Sequence, residues 1–306
     1  MKDVYTLSDL NEPGALDSAN SKPARLAVIG HPVAHSLSPQ MHQAALDEAE
    51  IDCRYIRIDL APDEFAGGIR KLAELGFIGC NVTVPHKEAA FAIADRHDQA
   101  ARELGVCNTL VFEEDGIKGL STDGPGFAQA ILEEFHLPVS SLKIMILGAG
   151  GGAGRSIATF CASEGCDQLI LVNRSIDKVR ALAAQLRPML NDEYHLAGPS
   201  DRLIACGFDD PRLPELIEQT ELIVNASSLG LKSGDPSPIP GKYLEPQHLV
   251  YDTIYHSTQL QKDALQRGAR LATGQSMLLH QGALSFEDWL HQAPSIEAMR
   301  RGLKAQ

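Results

Sequence analysis

A short apolar run that ends in a glycine turn and opens into a helical stretch constrains this chain more than any other feature. In KIMILGAGGGAGRSIA, residues 143–158, the run ends at Leu147 and Gly148-x-Gly150-x-x-Ala153 follows, with Ala149, Gly151 and Gly152 completing the turn. Strand, glycine turn and helix in that order are the context of a dinucleotide fingerprint. The glycines permit a tight turn and let backbone approach a pyrophosphate, while the helix N-terminus offers N–H groups and a positive dipole end. A plain glycine-rich turn is the bland alternative. The next turn discriminates between cofactors. Turns that bind NAD carry an acidic residue about 20 positions on. Here the run LILV leads into Asn173, Arg174 and Ser175, with Lys178 one helical turn later. An arginine and a lysine suit a 2′-phosphate, so NADP(H) is expected over NAD(H).

Around this segment, β-branched runs alternate with Ala- and Leu-rich stretches. Strands are predicted at 25–30, 53–59, 79–84, 109–112, 143–147, 168–173, 222–225 and 249–253, and helices at 39–49, 62–75, 126–135, 154–164 and 177–186. The alternation implies βαβ units and a parallel sheet. The runs at 143–147 and 168–173 are nearly continuous in apolar residues, as when helices cover both faces. The predicted fold class is α/β with two domains. Residues 1–24 read as a loosely held N-terminal extension and 25–122 as one α/β domain. Residues 123–273 read as a Rossmann-type nucleotide domain. The last stretch, 274–306, is helical without strands, and packing back on the first domain would bury its apolar face and make that domain discontinuous.

Composition excludes several classes. Over 306 residues, 44% are hydrophobic and 22% charged, close to an average soluble globular protein. The net charge of −13 disfavours nucleic acid and membrane surfaces as partners, though local cations can still hold a small anion. Six cysteines without CxxC spacing read as reduced thiols, not a disulfide frame or zinc site. The first 25 residues have no apolar signal core and are not Arg-rich, so a cytoplasmic location is expected. His31 and His35 stand four apart, but Pro32 argues against a helix and no ligand partner is near, so no metal is expected.

Three polar clusters stand out between hydrophobic flanks. In GHPVAHSLSP, residues 30–39, Ser36 and Ser38 alternate, which in an extended segment turns both hydroxyls to one side. Ser38 is also suited to cap a helix starting at Pro39. In GCNVTVPHK, residues 79–87, Thr83 lies on the run and Lys87 just past its carboxyl end, where open α/β sheets place ligands. A solvated surface lysine is the plain alternative. Asn108 stands in CNT, 107–109, and Asp123 in STDG, 121–124, where it also suits a turn or helix cap. Beside a nicotinamide-type turn, the clusters suggest ketone reduction, which needs a hydride donor, a proton donor at oxygen and groups to orient a polyol. A Lys87–Asp123 pair would supply the proton site, and Ser36, Ser38, Thr83 and Asn108 would pair with substrate hydroxyls and a carboxylate.

These segments, with GVCNTL (105–110), NASSLG (225–230), YDTIY (251–255) and GQSMLLHQGALSFEDW (274–289), resemble the shikimate dehydrogenase family from about Leu26 to Trp289. The resemblance implies reversible, NADP-linked interconversion of 3-dehydroshikimate and shikimate, in a two-domain fold with the active site in the cleft between domains. It implies substrate contacts from Ser36, Ser38, Thr83, Asn108, Asp123, Tyr255 and Gln281, and Lys87 as acid/base paired with Asp123. It implies that the 148–153 turn with Asn173, Arg174, Ser175 and Lys178 holds NADP, and that Thr253 and Gly274 lie near the nicotinamide half. Monomer and homodimer are both open. The glycine turn is one residue longer than the family's common GAGGA form, and the loop Tyr255-His256-Ser257-Thr258 is two residues shorter than the family's and lacks its proline. A quinate/shikimate dehydrogenase and a non-catalytic ligand-sensing relative are the rivals, Lys87, Asp123 and the glycine turn being intact against the second. A tetrahydrofolate-linked dehydrogenase does not share the Ser-x-Ser and NVTVPHK motifs.

Overall fold

Two sheets, each with its own hydrophobic core, organise the chain. The structure is a computed structural model describing residues 2–12, 14, 16–17, 22–190 and 202–304. Its compact units are 1–122 with 281–306, and 123–280. The return to the first unit thus comes at Gln281, inside the helix Gly274–Leu290, and not at Gly274 itself.

The second unit holds strands β8 (Lys143–Leu147), β9 (Gln168–Val172), β10 (Leu203–Cys206), β11 (Leu222–Asn225), β12 (Leu249–Asp252) and β13 (Arg270–Thr273). They are all parallel, in the order β10-β9-β8-β11-β12-β13. This is the doubly wound order, which reverses between β8 and β11. The apolar runs are buried on both faces. Ile144 and Ile146 point into one core layer, and Met145 and Leu147 into the opposite one. Full burial of each such side chain contributes about 1.5–3 kcal/mol.

The first unit holds β1 (Tyr5–Thr6), β2 (Ala24–Gly30), β3 (Arg54–Asp59), β4 (Gly79–Val82), β5 (Arg96–His97), β6 (Thr109–Glu113) and β7 (Gly116–Leu120), in the order β1-β3-β2-β4-β6-β7-β5. Here the expectation of a parallel sheet is corrected in part. β1 to β4 run parallel, but β6 is antiparallel to both β4 and β7. The hairpin β6–β7 turns through Glu114-Asp115, with Gly116 opening β7 at φ +130°, a tight turn that the alternation of strands and helices concealed.

The reading of 1–24 as loosely held is also corrected for its described residues. β1 pairs with β3, and Tyr5, Leu10 and Leu16 are buried in the core of this unit. The Arg54 guanidinium bonds the Lys22 carbonyl at 2.6 Å and that of Leu16. Widely spaced apolar residues among Asp, Asn and Pro carry no period that sequence patterning detects.

The C-terminal helices close the unit. Trp289 donates its indole N–H to the Leu110 carbonyl at 3.0 Å, directly over Gly79. Gly302, in the helix Ile296–Lys304, approaches the Gln40 carbonyl so closely that a Cβ would stand 2.4 Å from it. All six cysteines are free and buried, and burial pushes the Cys107 and Cys166 thiols up to about 12.

A Cβ at Gly79 would lie 2.3 Å from both the Leu110 carbonyl and Trp289 Nε1. Gly79→Ala is expected to cost about 1–3 kcal/mol through overpacking. Fluorescence of Trp289, the one tryptophan of the chain, reads the shift in denaturation midpoint, and an unchanged midpoint contradicts the packing argument. Burial holds the His42 imidazole down at about 3 and lowers that of His86. His42 is therefore neutral when folded, His86 holds a proton less readily folded than unfolded, and unfolding takes up protons once the pH falls toward about 6.5. Stability should therefore be complete above that pH and decline below it, by at most about 1.4 kcal/mol per pH unit per histidine. Urea midpoints at pH 7.5 and 5.5 measure this, and equal midpoints count against it.

Candidate functional site

In the first unit the site grows from strand ends. β2 stops at Gly30, where a Cβ would meet Thr83 Cγ2 at 2.5 Å. His31 N–H bonds the Val84 carbonyl at 3.0 Å, and Thr83 N–H bonds that of Ile29 at 2.8 Å. The loops after β2 and β4 are therefore joined backbone to backbone. The first carries Ser36 and Ser38, the second Thr83 and Lys87.

Ser36 and Ser38 do not form an extended pair. Leu37 between them is helical, at φ −89° and ψ −3°, and the helix Ser38–Glu48 starts at Ser38. Ser38 is not the cap. Instead Ser36 Oγ accepts the Ser38 N–H at 3.3 Å, which leaves the Ser36 hydroxyl proton available to a ligand. Ser38 is buried and Ser36 half-buried. His31 lends its Nδ1 to Asp59 at 2.6 Å.

Lys87 opens the helix Lys87–Ile93, and its carbonyl accepts the Cys107 N–H at 3.0 Å, beside Asn108. Asn108, 4% exposed, is held at both ends of its amide. Its Oδ1 accepts the Thr122 N–H at 2.8 Å. Its Nδ2 donates to Thr122 Oγ1 at 2.9 Å and to Gln281 Oε1 at 3.3 Å. Gln281 was expected only from the resemblance; the structure binds it into the same cluster as Asn108.

Behind this cluster lies a buried hub that sequence reasoning passed over. Asn81 accepts the Tyr55 hydroxyl at 2.7 Å and donates to Ser285 Oγ at 2.9 Å and Thr109 Oγ1 at 3.1 Å. Thr109 and Ser285 bond each other at 2.7 Å. An asparagine inside the apolar run GCNV was the available signal, since a buried amide needs several partners. His42, neutral through burial, stacks on Tyr55 with centroids 4.5 Å apart.

In the second unit the glycine turn sits at the strand-order reversal. Gly148 has φ +85° and would place a Cβ 2.6 Å from the Ser227 Cα, after β11. Its N–H and that of Ala149 bond the Val172 carbonyl at 2.8 and 3.2 Å. Gly150 leaves room for the Asn173 amide, 2.8 Å from where its Cβ would be. The close helix–strand approach falls on Gly154, where a Cβ would stand 2.4 Å from the Gly148 carbonyl. The fingerprint therefore reads Gly148-x-Gly150-x-x-x-Gly154, and Ala153 is not its third member. The additional residue is absorbed at Gly151 and Gly152, where the helix Gly152–Ser163 begins and a Cβ would meet nothing closer than 3.4 Å. That open backbone suits a pyrophosphate.

Asn173 Nδ2 bonds the Ser175 carbonyl at 3.1 Å and so shapes the turn after β9. Arg174 and Ser175 are exposed on it and Lys178 in the first turn of the following helix Ile176–Leu186, and neither cation forms an ion pair among the described residues. A 2′-phosphate suits two such free cations. Thr253 and Gly274 are brought together, since a Cβ on Gly274 would lie 2.0 Å from the Thr253 carbonyl. Asp123 opens the helix Asp123–Phe135 and is 8% exposed.

The shortened loop after β12 is anchored by Asp252. This buried carboxylate accepts from Thr258 Oγ1 at 2.6 Å, Asn225 Nδ2 at 3.0 Å and Gln261 Nε2 at 3.2 Å. His256 Nε2 donates to the Gly230 carbonyl at 2.8 Å. Tyr255 stands 43% exposed on this loop.

Comparison with known proteins agrees with this layout. Residues 28–110 match the shikimate dehydrogenase substrate binding domain, 128–203 the shikimate / quinate 5-dehydrogenase model, and 274–304 the shikimate 5'-dehydrogenase C-terminal domain. The NADP(+)-dependent shikimate dehydrogenase of Rubrobacter xylanophilus is 38% identical over 285 residues, covering 92% of this chain and 95% of that one. A shikimate dehydrogenase solved with NADP+ superposes with a TM-score of 0.83 at 31% identity, over 94% of this chain and 96% of that one. The Thermus thermophilus enzyme, solved with NADP(H) and shikimate, gives 0.79 at 31% identity, over 92% and 98%. With these family-model matches and this likeness over nearly the whole length, the chain belongs to the shikimate dehydrogenase family.

Proposed function

We propose that this oxidoreductase interconverts 3-dehydroshikimate and shikimate with NADP(H). The observation that carries the reading is the polar set at one sheet edge of the first unit. Hydroxyls of Ser36, Ser38 and Thr83 and the amides of Asn108 and Gln281 offer the alternating donors and acceptors that a polyhydroxylated ring acid requires. The glycine turn, Asn173, Arg174, Ser175 and Lys178 would hold NADP(H), with Thr253 and Gly274 toward its nicotinamide half. When bound, NADPH supplies the hydride for the ketone carbon. Lys87 gives its Nζ proton to the carbonyl oxygen as that oxygen gains charge, and takes the alcohol proton in the reverse direction. Asp123 would serve as its carboxylate partner and, with Tyr255, would contact substrate. Six buried free thiols support a reducing, cytoplasmic setting.

Quinate differs from shikimate in lacking the ring double bond and carrying a further hydroxyl. The match of 128–203 to the shikimate / quinate 5-dehydrogenase model keeps a quinate/shikimate dehydrogenase as the second reading. Initial rates with shikimate and quinate, each with NADP+ and NAD+, separate the two, and absence of shikimate oxidation overturns the first.

Lys87→Ala is expected to lower kcat by about 10²–10⁴-fold, with a much smaller change in shikimate KM, because its proton transfer belongs to the transition state. Normal turnover removes Lys87 from that role. Arg174→Ala should raise the KM for NADP+ about ten- to a hundredfold, the worth of a charge-assisted bond, and leave that for NAD+ nearly unchanged. Equal effects on both cofactors would remove the 2′-phosphate assignment.

A further inference from the structure

We propose that one face of β3 is a template that holds the serine loop in its substrate-binding shape, with Arg57 and Asp59 as positioning residues. The inference rests on the function proposed above and goes beyond it, since neither residue belongs to the motifs that identify the family.

Alternation along β3 turns Tyr55, Arg57 and Asp59 to one side and Ile56 and Ile58 into the core. Each of the three grips a different part of the segment that follows β2. Tyr55 stacks on His42, in the helix Ser38–Glu48. Arg57 donates from Nε and Nη2 to the Ser36 carbonyl at 3.1 and 2.8 Å, and from Nη2 to Gln40 Oε1 at 2.9 Å. Asp59 accepts from His31 Nδ1 at 2.6 Å and from the Val33 N–H at 3.4 Å. The parallel register sets this up, because Asp59 lies opposite Gly30 and the loop leaves β2 at the next residue.

The contacts form a relay to both serines. Asp59 holds Val33, and the Val33 carbonyl accepts the Ser36 N–H at 3.0 Å. Arg57 holds the Ser36 carbonyl, and Ser36 Oγ accepts the Ser38 N–H at 3.3 Å. Both peptide units of Ser36 are therefore fixed from β3. The hydrogen-bond partners of Arg57 described above are neutral oxygens, so its charge-assisted bonds act on loop geometry and do not neutralise a carboxylate. Prepositioned hydroxyls lower the ordering cost of substrate binding.

The test uses purified full-length Arg57→Ala, His31→Ala and His31→Asn beside the unaltered chain. Asparagine Nδ2 occupies the place of histidine Nδ1 and can still donate to Asp59. Arg57→Ala should raise shikimate KM about tenfold and His31→Ala about threefold or more, with NADP+ KM and melting temperature nearly unchanged and kcat falling less than KM rises. His31→Asn should behave as the unaltered chain. Amide hydrogen exchange of residues 31–38 should speed up in the two alanine variants only, a readout independent of turnover. An unchanged shikimate KM and exchange rate in Arg57→Ala, or His31→Asn behaving as His31→Ala, overturns the template. A parallel loss in kcat, both KM values and melting temperature also overturns it, in favour of a general folding role. An unaltered chain that oxidises no shikimate overturns the proposed function, and the exchange measurement then still decides the template.

Discussion

Strands that run parallel all finish at the same edge of their sheet, and in each unit that edge is where the polar chemistry stands. In the first unit β2, β3 and β4 end there, delivering the Ser36 loop, Asp59 and the Thr83–Lys87 turn. Asn108 precedes a strand and would stand at the wrong edge if β6 were parallel. Because β6 is antiparallel, its first residue, Thr109, lies opposite Asn81 in β4 and Leu120 in β7. The reversal brings the start of β6 and the end of β7 to the edge that the parallel strands reach with their ends. Asn108 and Thr122 thereby meet each other and Gln281.

Within that arrangement, missing side chains set how close the loops come. Gly30 beside the Thr83 methyl, Gly148 beside the Ser227 backbone and Gly274 beside the Thr253 carbonyl are points where a neighbouring segment occupies the volume of a Cβ. Each joins the ends of two different strands, so a methyl group would push apart loops that must act together. Gly148 also needs the left-handed backbone at φ +85°. The net charge of −13 describes the surface and not these sites. Arg174 and Lys178 stand without ion-pair partners among the described residues, on and just past a turn whose backbone also offers N–H groups, and this is a local arrangement suited to an anion.

Strands β8, β9, β11 and β12 of the second sheet were legible because their signals are local, whereas its outer strands β10 and β13 were not predicted. An apolar run, a glycine turn and a helix are each visible in about fifteen residues, and parallel order follows from their alternation. The first sheet was read less completely. β1, β5 and β7 are short or mixed in character, and their pairing comes from partners far along the chain. Ser38 looked like a helix cap because serine before proline commonly is one; the cap position falls on Leu37, whose backbone is already helical, and Ser36 Oγ accepts the Ser38 N–H. The role of Gly154 was hidden by the additional residue in the turn, since spacing alone pointed to Ala153.

Sequence by itself determined the chemistry available to this protein: which residues can donate, accept, carry charge or permit backbone approach, and the strand ends from which they project. Those properties belong to single residues and to periods of two or 3.6, which a linear reading contains. Tertiary structure decided which of them act together. Asn81 became a hub through Ser285, 204 positions away, and Arg57 reached the Ser36 carbonyl through strand register. Hydrogen bonds hold only within about 3 Å, and only folding brings residues so distant in sequence to that range.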